Sequence, residues 1–339
     1  MVKGDPDQRL TYLLHAERFI RANGFKKPAL SRKRRTLHHC YAYMRIMAET
    51  TRSSIYYLPD TDGLPHRNTG YGHGRGHAGS AATDNDEFRV SRWTTLSDNM
   101  MGMEKDPDTA KRDLHLEIPG RWTSTLFPEL YGIAEGFLVL LSQVIRLANE
   151  RDLAMEQEGQ FGGGGGGNGL GLREFTLRAK ALEKSIYRLI SSGADNAMVQ
   201  SMYTALLIFF YRRVHNLDAM LLQREVLAVQ GYLSSLQQQQ HNHHHENSHP
   251  HAQKPNEDTA RTAVALVWPA FVAACEALLP ESQGYFADWF EGMVERTGLV
   301  SVRLAKGVCE FIWAKRKDSE DGVSWPEVLR GRGFKVLCT

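Results

Sequence analysis

One stretch of this sequence does most to decide what the chain can fold into. After Pro128, the apolar residues Leu130, Ile133, Ala134, Phe137, Leu138, Leu141, Val144, Ile145 and Ala148 recur with a period close to 3.6. Only an α-helix gathers such a series onto one face. No run of useful length alternates with period two, so nothing competes for a β-sheet. Other segments carry helix starts and stops. Asp5-Pro6-Asp7-Gln8 supplies a cap, a proline at the first helical position and a glutamine three residues after the cap, and Gly24 offers a stop. A second helix is expected from Ser31, with Leu37, Tyr41, Met44 and Ala48 on its core face. Further helices are expected over 173–192, 197–235, 258–277, 284–297 and 299–316. Asn216 and Asp218 offer a break and a new cap inside the second of these, and Pro269 marks a kink or boundary inside the third. The expected fold is all-α: about ten helices packed irregularly around one extended core.

Three tracts break the helical pattern. Residues 59–87 are rich in Gly, Asp, Asn and His. An unbroken glycine run, Gly162 to Gly167, sits within 157–171. Residues 237–256 hold the run Gln237 to Gln240, two prolines and six of the 14 histidines. These tracts lack the apolar side chains that would offset the entropy of ordering, so they read as disordered insertions.

The charge balance is near neutral, +2 overall, and gives no global attraction to nucleic acid or membrane. The most apolar run, Ala205 to Tyr211, is too short to span a bilayer. Cys40, Cys275, Cys309 and Cys338 show no paired spacing and read as reduced thiols. These features point to a soluble intracellular protein without a membrane partner.

Candidate chemistry is sparse. His241, His243, His244, His245, His249 and His251 could chelate a metal, but the tract offers no second shell to orient ligands, and it reads as a solvated loop. His38 and His39 are adjacent, point about 100° apart on a helix, and cannot share an ion with Glu49 in the manner of a metalloprotease. Gly70 to Gly76 lacks the Lys-Ser/Thr of a phosphate loop and follows no strand. No nucleophile elbow or paired-carboxylate constellation stands out. No catalytic residue and no bound cofactor or metal are assigned. The basic run Arg32, Lys33, Arg34 and Arg35 reads either as a solvated helix face or as a patch for nuclear import or phosphate contact. Trp268, Phe271, Phe286, Trp289, Phe290, Phe311 and Trp313 recur at helical spacing. They read first as core and second as the lining of a small-molecule cavity.

The C-terminal motifs are specific. Val267-Trp268-Pro269-Ala270-Phe271-Val272-Ala273-Ala274-Cys275-Glu276-Ala277 is followed by Trp289-Phe290, by Val308-Cys309-Glu310-Phe311-Ile312-Trp313 and by Trp325-Pro326-Glu327-Val328. Together they resemble the end of the fungal-specific transcription factor domain of the zinc-binuclear-cluster, Zn(II)2Cys6, family. Arg32 to Thr51 and the element His115-Leu116-Glu117-Ile118-Pro119-Gly120-Arg121-Trp122, continuing to Glu150, are similar to its arginine metabolism regulator branch.

The resemblance implies a nuclear regulatory region controlling RNA polymerase II transcription, with genes of arginine metabolism as possible targets. Its implied partners are the transcriptional machinery or other regulators, with a homodimer possible. Members carry an N-terminal six-cysteine cluster that holds two zinc ions and reads DNA. Its C-x2-C-x6-C spacing does not occur here, and four cysteines are too few. The chain is therefore expected to be a fragment, a truncated gene product or a member lacking that module, reaching DNA only indirectly or through it. An effector such as arginine would need a buried carboxylate beside aromatic faces. Glu276, Asp288 and Glu310 are the candidates. The alternative reading is a helical protein-interaction scaffold that binds no metabolite.

Overall fold

The computed structural model describes residues 6–23, 25, 30–52, 88–90, 100–160, 170–193, 196–246, 265–318 and 323–332. Among them there are twelve α-helices and no strand, and an isolated bridge pairs Glu104 with Arg121. The helices are α1 (Pro6–Asn23), α2 (Arg32–Thr50), α3 (Pro107–Arg112), α4 (Phe127–Tyr131), α5 (Glu135–Gln160), α6 (Leu172–Ser192), α7 (Ala197–Phe210), α8 (Gln223–Glu246), α9 (Val267–Glu276), α10 (Pro280–Thr297), α11 (Val300–Asp318) and α12 (Trp325–Arg332). A π turn, Tyr211–His215, prolongs α7, and a 3-10 turn, Ala219–Leu222, leads into α8. The all-α expectation holds.

Helix α7 is the centre. Every residue from Gln200 to Phe210 is buried, as suits a helix that is apolar nearly all round. Helices α5, α6, α8 and α9 pack against it, and α9 passes the core on to the α10–α11 pair. Among the polar groups that α7 takes inside, Ser201 donates to Met198 O at 2.7 Å and Gln200 to Ile190 O at 2.9 Å. Trp268 on α9 meets Phe137 of α5 edge-on at 5.8 Å and Phe209 of α7 at 5.9 Å, and Trp325 of α12 packs on Phe209 and Phe271. Phe286, Trp289, Phe290 and Trp313 are buried and Phe311 partly so, which makes the aromatic series core.

The caps are local and legible. Ser31 opens α2 by accepting from Arg34 N. Asp106 opens α3 ahead of Pro107, and Asn196 opens α7 by accepting from Met198 N and Val199 N. Asn216 adopts the left-handed conformation and Asp218 caps the turn after it, so the expected break inside 197–235 is real. Pro269 lies in the first turn of α9, where its missing N–H costs nothing, so it marks a boundary and no kink.

The structure departs from the sequence expectations in three places. The helix expected after Pro128 is divided: Gly132, left-handed at φ 67°, ends α4, and α5 begins at Glu135, leaving Leu130 and Ala134 outside it. The core face of α2 is rotated. His39, Ala42, Tyr43, Ile46, Met47 and Thr50 are buried, whereas Leu37 and Met44 are 59% and 37% exposed. Tyr41 and Ala48 face α1 in a separate small cluster with Leu13, Ile20 and Leu114. The low-complexity tract at 237–256 is helical through Glu246, the end of α8, and α5 runs to Gln160 at the start of the glycine-rich tract. The tract 59–87, the glycine run, residues 247–256 and the expected helical stretch 258–264 lie outside the described residues.

Gly120 and Gly231 make opposite demands. Gly120 sits at φ 122°, and a Cβ there would come within 3.0 Å of Lys105 Cγ and 3.1 Å of Met103 O. Gly231 lies on the exposed face of α8 with nothing within 4 Å of a Cβ. Chemical denaturation is expected to show Gly120→Ala destabilised by about 1–3 kcal/mol through backbone strain. Gly231→Ala is expected to be stabilised by about 0.5–1 kcal/mol.

Candidate functional site

Two buried polar knots account for the sequence elements singled out above. The first ties the C-terminal motifs. Glu276, the last residue of α9, is fully buried. The π turn presents Arg212, whose Nε and Nη2 donate to Glu276 Oε1 and Oε2 at 2.5 and 2.6 Å, a bidentate fork. Arg316 of α11 adds Nη2 to Oε2 at 3.2 Å, and its Nη1 and Nε donate to Cys275 O and Val323 O. Gln223 of α8 donates to Glu276 O at 2.8 Å and accepts from Leu278 N at 3.1 Å. Trp313 donates to Ala274 O at 2.8 Å. The A-x-C-E-A segment is therefore the point at which the π turn, α8, α9, α11 and the approach to α12 are fastened together. Cys275 and Cys309 are buried beside it with sulfurs 3.8 Å apart, and burial pushes the Cys275 thiol up, away from thiolate chemistry. Cys338 lies outside the described residues.

The second knot holds the His115–Trp122 element. Asp113 accepts from Glu117 N and Ile118 N at 2.7 and 3.0 Å, which shapes the turn in which Leu116 is held at φ 49°. Lys105 is buried between Asp113 and Glu135 at 3.1 and 3.3 Å. Ser142 and Gln143 of α5 donate to His115 O and Glu117 O. His115 Nε2 lies 3.0 Å from Glu17 of α1, and Glu17 also accepts from Tyr41 at 2.5 Å and Arg21 at 2.8 Å. Burial by itself would raise the Glu17 carboxyl. The hydrogen bonds and charge of His115, with Tyr41 and Arg21, outweigh that and hold it far below the usual carboxylate range. Burial pushes the Tyr41 phenol up and the His115 imidazolium down, and the trio latches α1 and α2 to the His115–Trp122 element.

The strap Phe88–Val90 lies over the same region. Phe88 stands between the guanidinium groups of Arg45 and Arg146 at 5.4 and 4.7 Å, and Arg89 forks onto Glu150 of α5 at 2.8 and 3.0 Å.

The three carboxylates nominated as effector contacts do not converge. Glu276 is inside the first knot, its two oxygens already holding Arg212 and Arg316, so a ligand guanidinium would have to displace the protein's own. Asp288 is exposed on α10, and Glu310 is exposed on α11, 3.9 Å from Lys306, which also pairs with Glu291. The basic run is partly engaged. Arg32 pairs with Glu129 on the surface and Arg35 donates to Ser124 O at 2.9 Å, while Lys33 is exposed. His39 Nδ1 donates to Arg35 O at 2.7 Å and the ring stacks on Trp122; burial pushes it down to about 4, so it is a neutral packing residue. No group of three potential metal ligands converges among the described residues. Among them, too, no helix is long and apolar enough to cross a membrane.

A family model described as the fungal specific transcription factor domain matches residues 1–339. The chain belongs to the fungal-specific transcription factor domain family. That membership supports a role in transcription regulation. The chain is also similar to arginine metabolism regulation protein II of Saccharomyces cerevisiae (strain ATCC 204508 / S288c), 24% identical over 139 residues. That match covers 41% of this chain and 14% of the relative. No solved structure matches the chain.

Sequence reasoning found Glu276 but not its partners within the chain, because Arg212 and Arg316 lie 64 and 40 residues away and no spacing links them. Removing Glu276 leaves two buried cations facing each other. Glu276→Ala is expected to cost about 3–5 kcal/mol in urea unfolding. Asp288→Asn, on the surface, is expected to stay within about 0.5 kcal/mol of the parent.

Proposed function

We propose that this domain is the regulatory half of a nuclear factor controlling RNA polymerase II transcription, with genes of arginine metabolism among its targets. The observation that carries the reading is the family match along the whole chain, and the relative's name supplies the arginine direction. The physical features agree with a body that relays binding. The motif residues are spent on knots that fasten helices to one another, and a ligand can act on such a body by favouring one packing over another. DNA would be reached through a separate zinc module or an associated protein. The partners would be the transcriptional machinery, other regulators or a second copy of the chain. Exposed Lys33, with the rest of the Arg32–Arg35 run, is the element we assign to nuclear import. Asp288 and Glu310, on the open side of the α10–α11 pair, are the carboxylates to test against the effector. Glu276 would shape the body without meeting the ligand.

The direct test fuses the chain to an unrelated DNA-binding module and reads a reporter gene in yeast grown with and without arginine. Reporter output is expected to depend on the fused domain and to change at least about threefold with arginine, a coupling of roughly 0.7 kcal/mol. Output that depends on the domain but ignores arginine would remove the arginine part of the reading. Output identical to that of the DNA-binding module alone would remove the transcriptional part.

A further inference from the structure

The π turn gives its two arginines different tasks. Arg212 is consumed by Glu276. Arg213 is directed to α5, where its Nη2 lies 3.2 Å from Asp152 Oδ2 and 3.4 Å from Asn149 Oδ1. Arg151 Nη2 meets the other oxygen of the same carboxylate at 2.8 Å. The side chains of Asp152 and Arg213 are 1% and 4% exposed, and that of Arg151 is 16% exposed. One buried carboxylate thus serves two guanidinium groups. The neighbouring carboxylate, Glu150, is already forked onto Arg89. Among the described residues, three buried nitrogens of this pair, Nε and Nη1 of Arg151 and Nε of Arg213, have no acceptor. Each carries at least one N–H, and a guanidinium cannot shed its charge to escape the mismatch. Buried donors and buried charge without a partner are costly, and an unexplained set of them calls for a missing acceptor.

We propose that Arg151 and Arg213 form a binding site for a small oxyanion, a carboxylate or phosphate group, entering from the more exposed Arg151 side. Two guanidinium edges already aligned by a shared carboxylate present planar, forked donors, and carboxylate and phosphate oxygens match that geometry. Burial first, and then the charges of Arg151 and of Arg330 on α12, outweigh Asp152 and push the Arg213 guanidinium down to about 10. An anion seated here would offset all three cations. The site lies where α5 and the π turn meet, so its occupancy would bear on how the π turn is held against α5. It extends the regulatory reading but stands on the arginine geometry alone, and it holds or fails whatever the reporter assay shows.

The test is binding to the full chain by isothermal titration calorimetry and thermal melting, with inorganic phosphate and with succinate in separate arms. Sodium chloride holds the ionic strength constant. At least one anion is expected to bind saturably with a Kd of about 0.1–1 mM and to raise Tm above the chloride control. Binding in the phosphate arm alone or the succinate arm alone supports the site and names its preferred ligand class. Arg151→Gln is expected to weaken binding tenfold or more. Arg151→Lys, which keeps the charge and loses the fork, is expected to weaken it less and guards against a folding defect. Arg303→Gln, on the exposed side of α11, is expected to leave binding unchanged. No saturable binding of either anion, or undiminished binding in both Arg151 variants, would overturn the proposal.

Discussion

Helix α7 must be covered on every side, and the rest of the fold follows from that constraint. A helix apolar all round is stable in water only inside a shell, and here α5, α6, α8 and α9 supply it. The shell helices then need their own cover. α9 is itself buried along its whole length, which recruits α10 and α11. The outward faces of α2 and α5 are closed by the small α1 cluster, by the His115–Trp122 element and by the Phe88–Val90 strap. Removing apolar area from water drives this layering at roughly 25 cal/mol per Å², but it is non-directional and cannot choose among the many ways of stacking amphipathic helices.

The buried charges make that choice. Each joins elements distant in sequence: Glu276 binds the π turn to α9 and α11, Lys105 binds Asp113 to Glu135, and Glu17 binds α1 to α2 and His115. Their contribution to stability over apolar substitutes is small, because desolvation offsets most of the attraction. Breaking one is costly, so an alternative packing that separates the partners is penalised. Because each knot fastens several elements, what disturbs one knot disturbs several helices together.

Much of the fold could be read in the sequence, and the reason is local. The helix start at Ser31, the break at Asn216 and Asp218 and the period of Phe137 to Ala148 are set by neighbours within a few residues. The face of α2 departs from its apolar period, because that helix buries Arg45, Glu49 and His39 and leaves Leu37 and Met44 outside. Hydrophobic spacing cannot report a burial that is enabled by a charge from another helix. The same limit hid the functional chemistry. Glu276 is recognisable as notable from its motif, but its partners are not, and no spacing in the sequence links Arg151-Asp152 to Arg213, 61 residues from Asp152. The π turn that aims Arg212 and Arg213 in different directions has no composition signal of its own.

Native-state hydrogen exchange tests the central claim most directly, because it ranks helices by the free energy needed to open them. The account predicts that amides of α7 and α9 exchange only through global unfolding and are the slowest in the chain. The amides of α1, held by a small satellite cluster and the Glu17 latch, should exchange through local opening at a clearly lower free energy. Protection of α7 and α9 no greater than that of α1 would contradict a structure organised around a fully enclosed central helix.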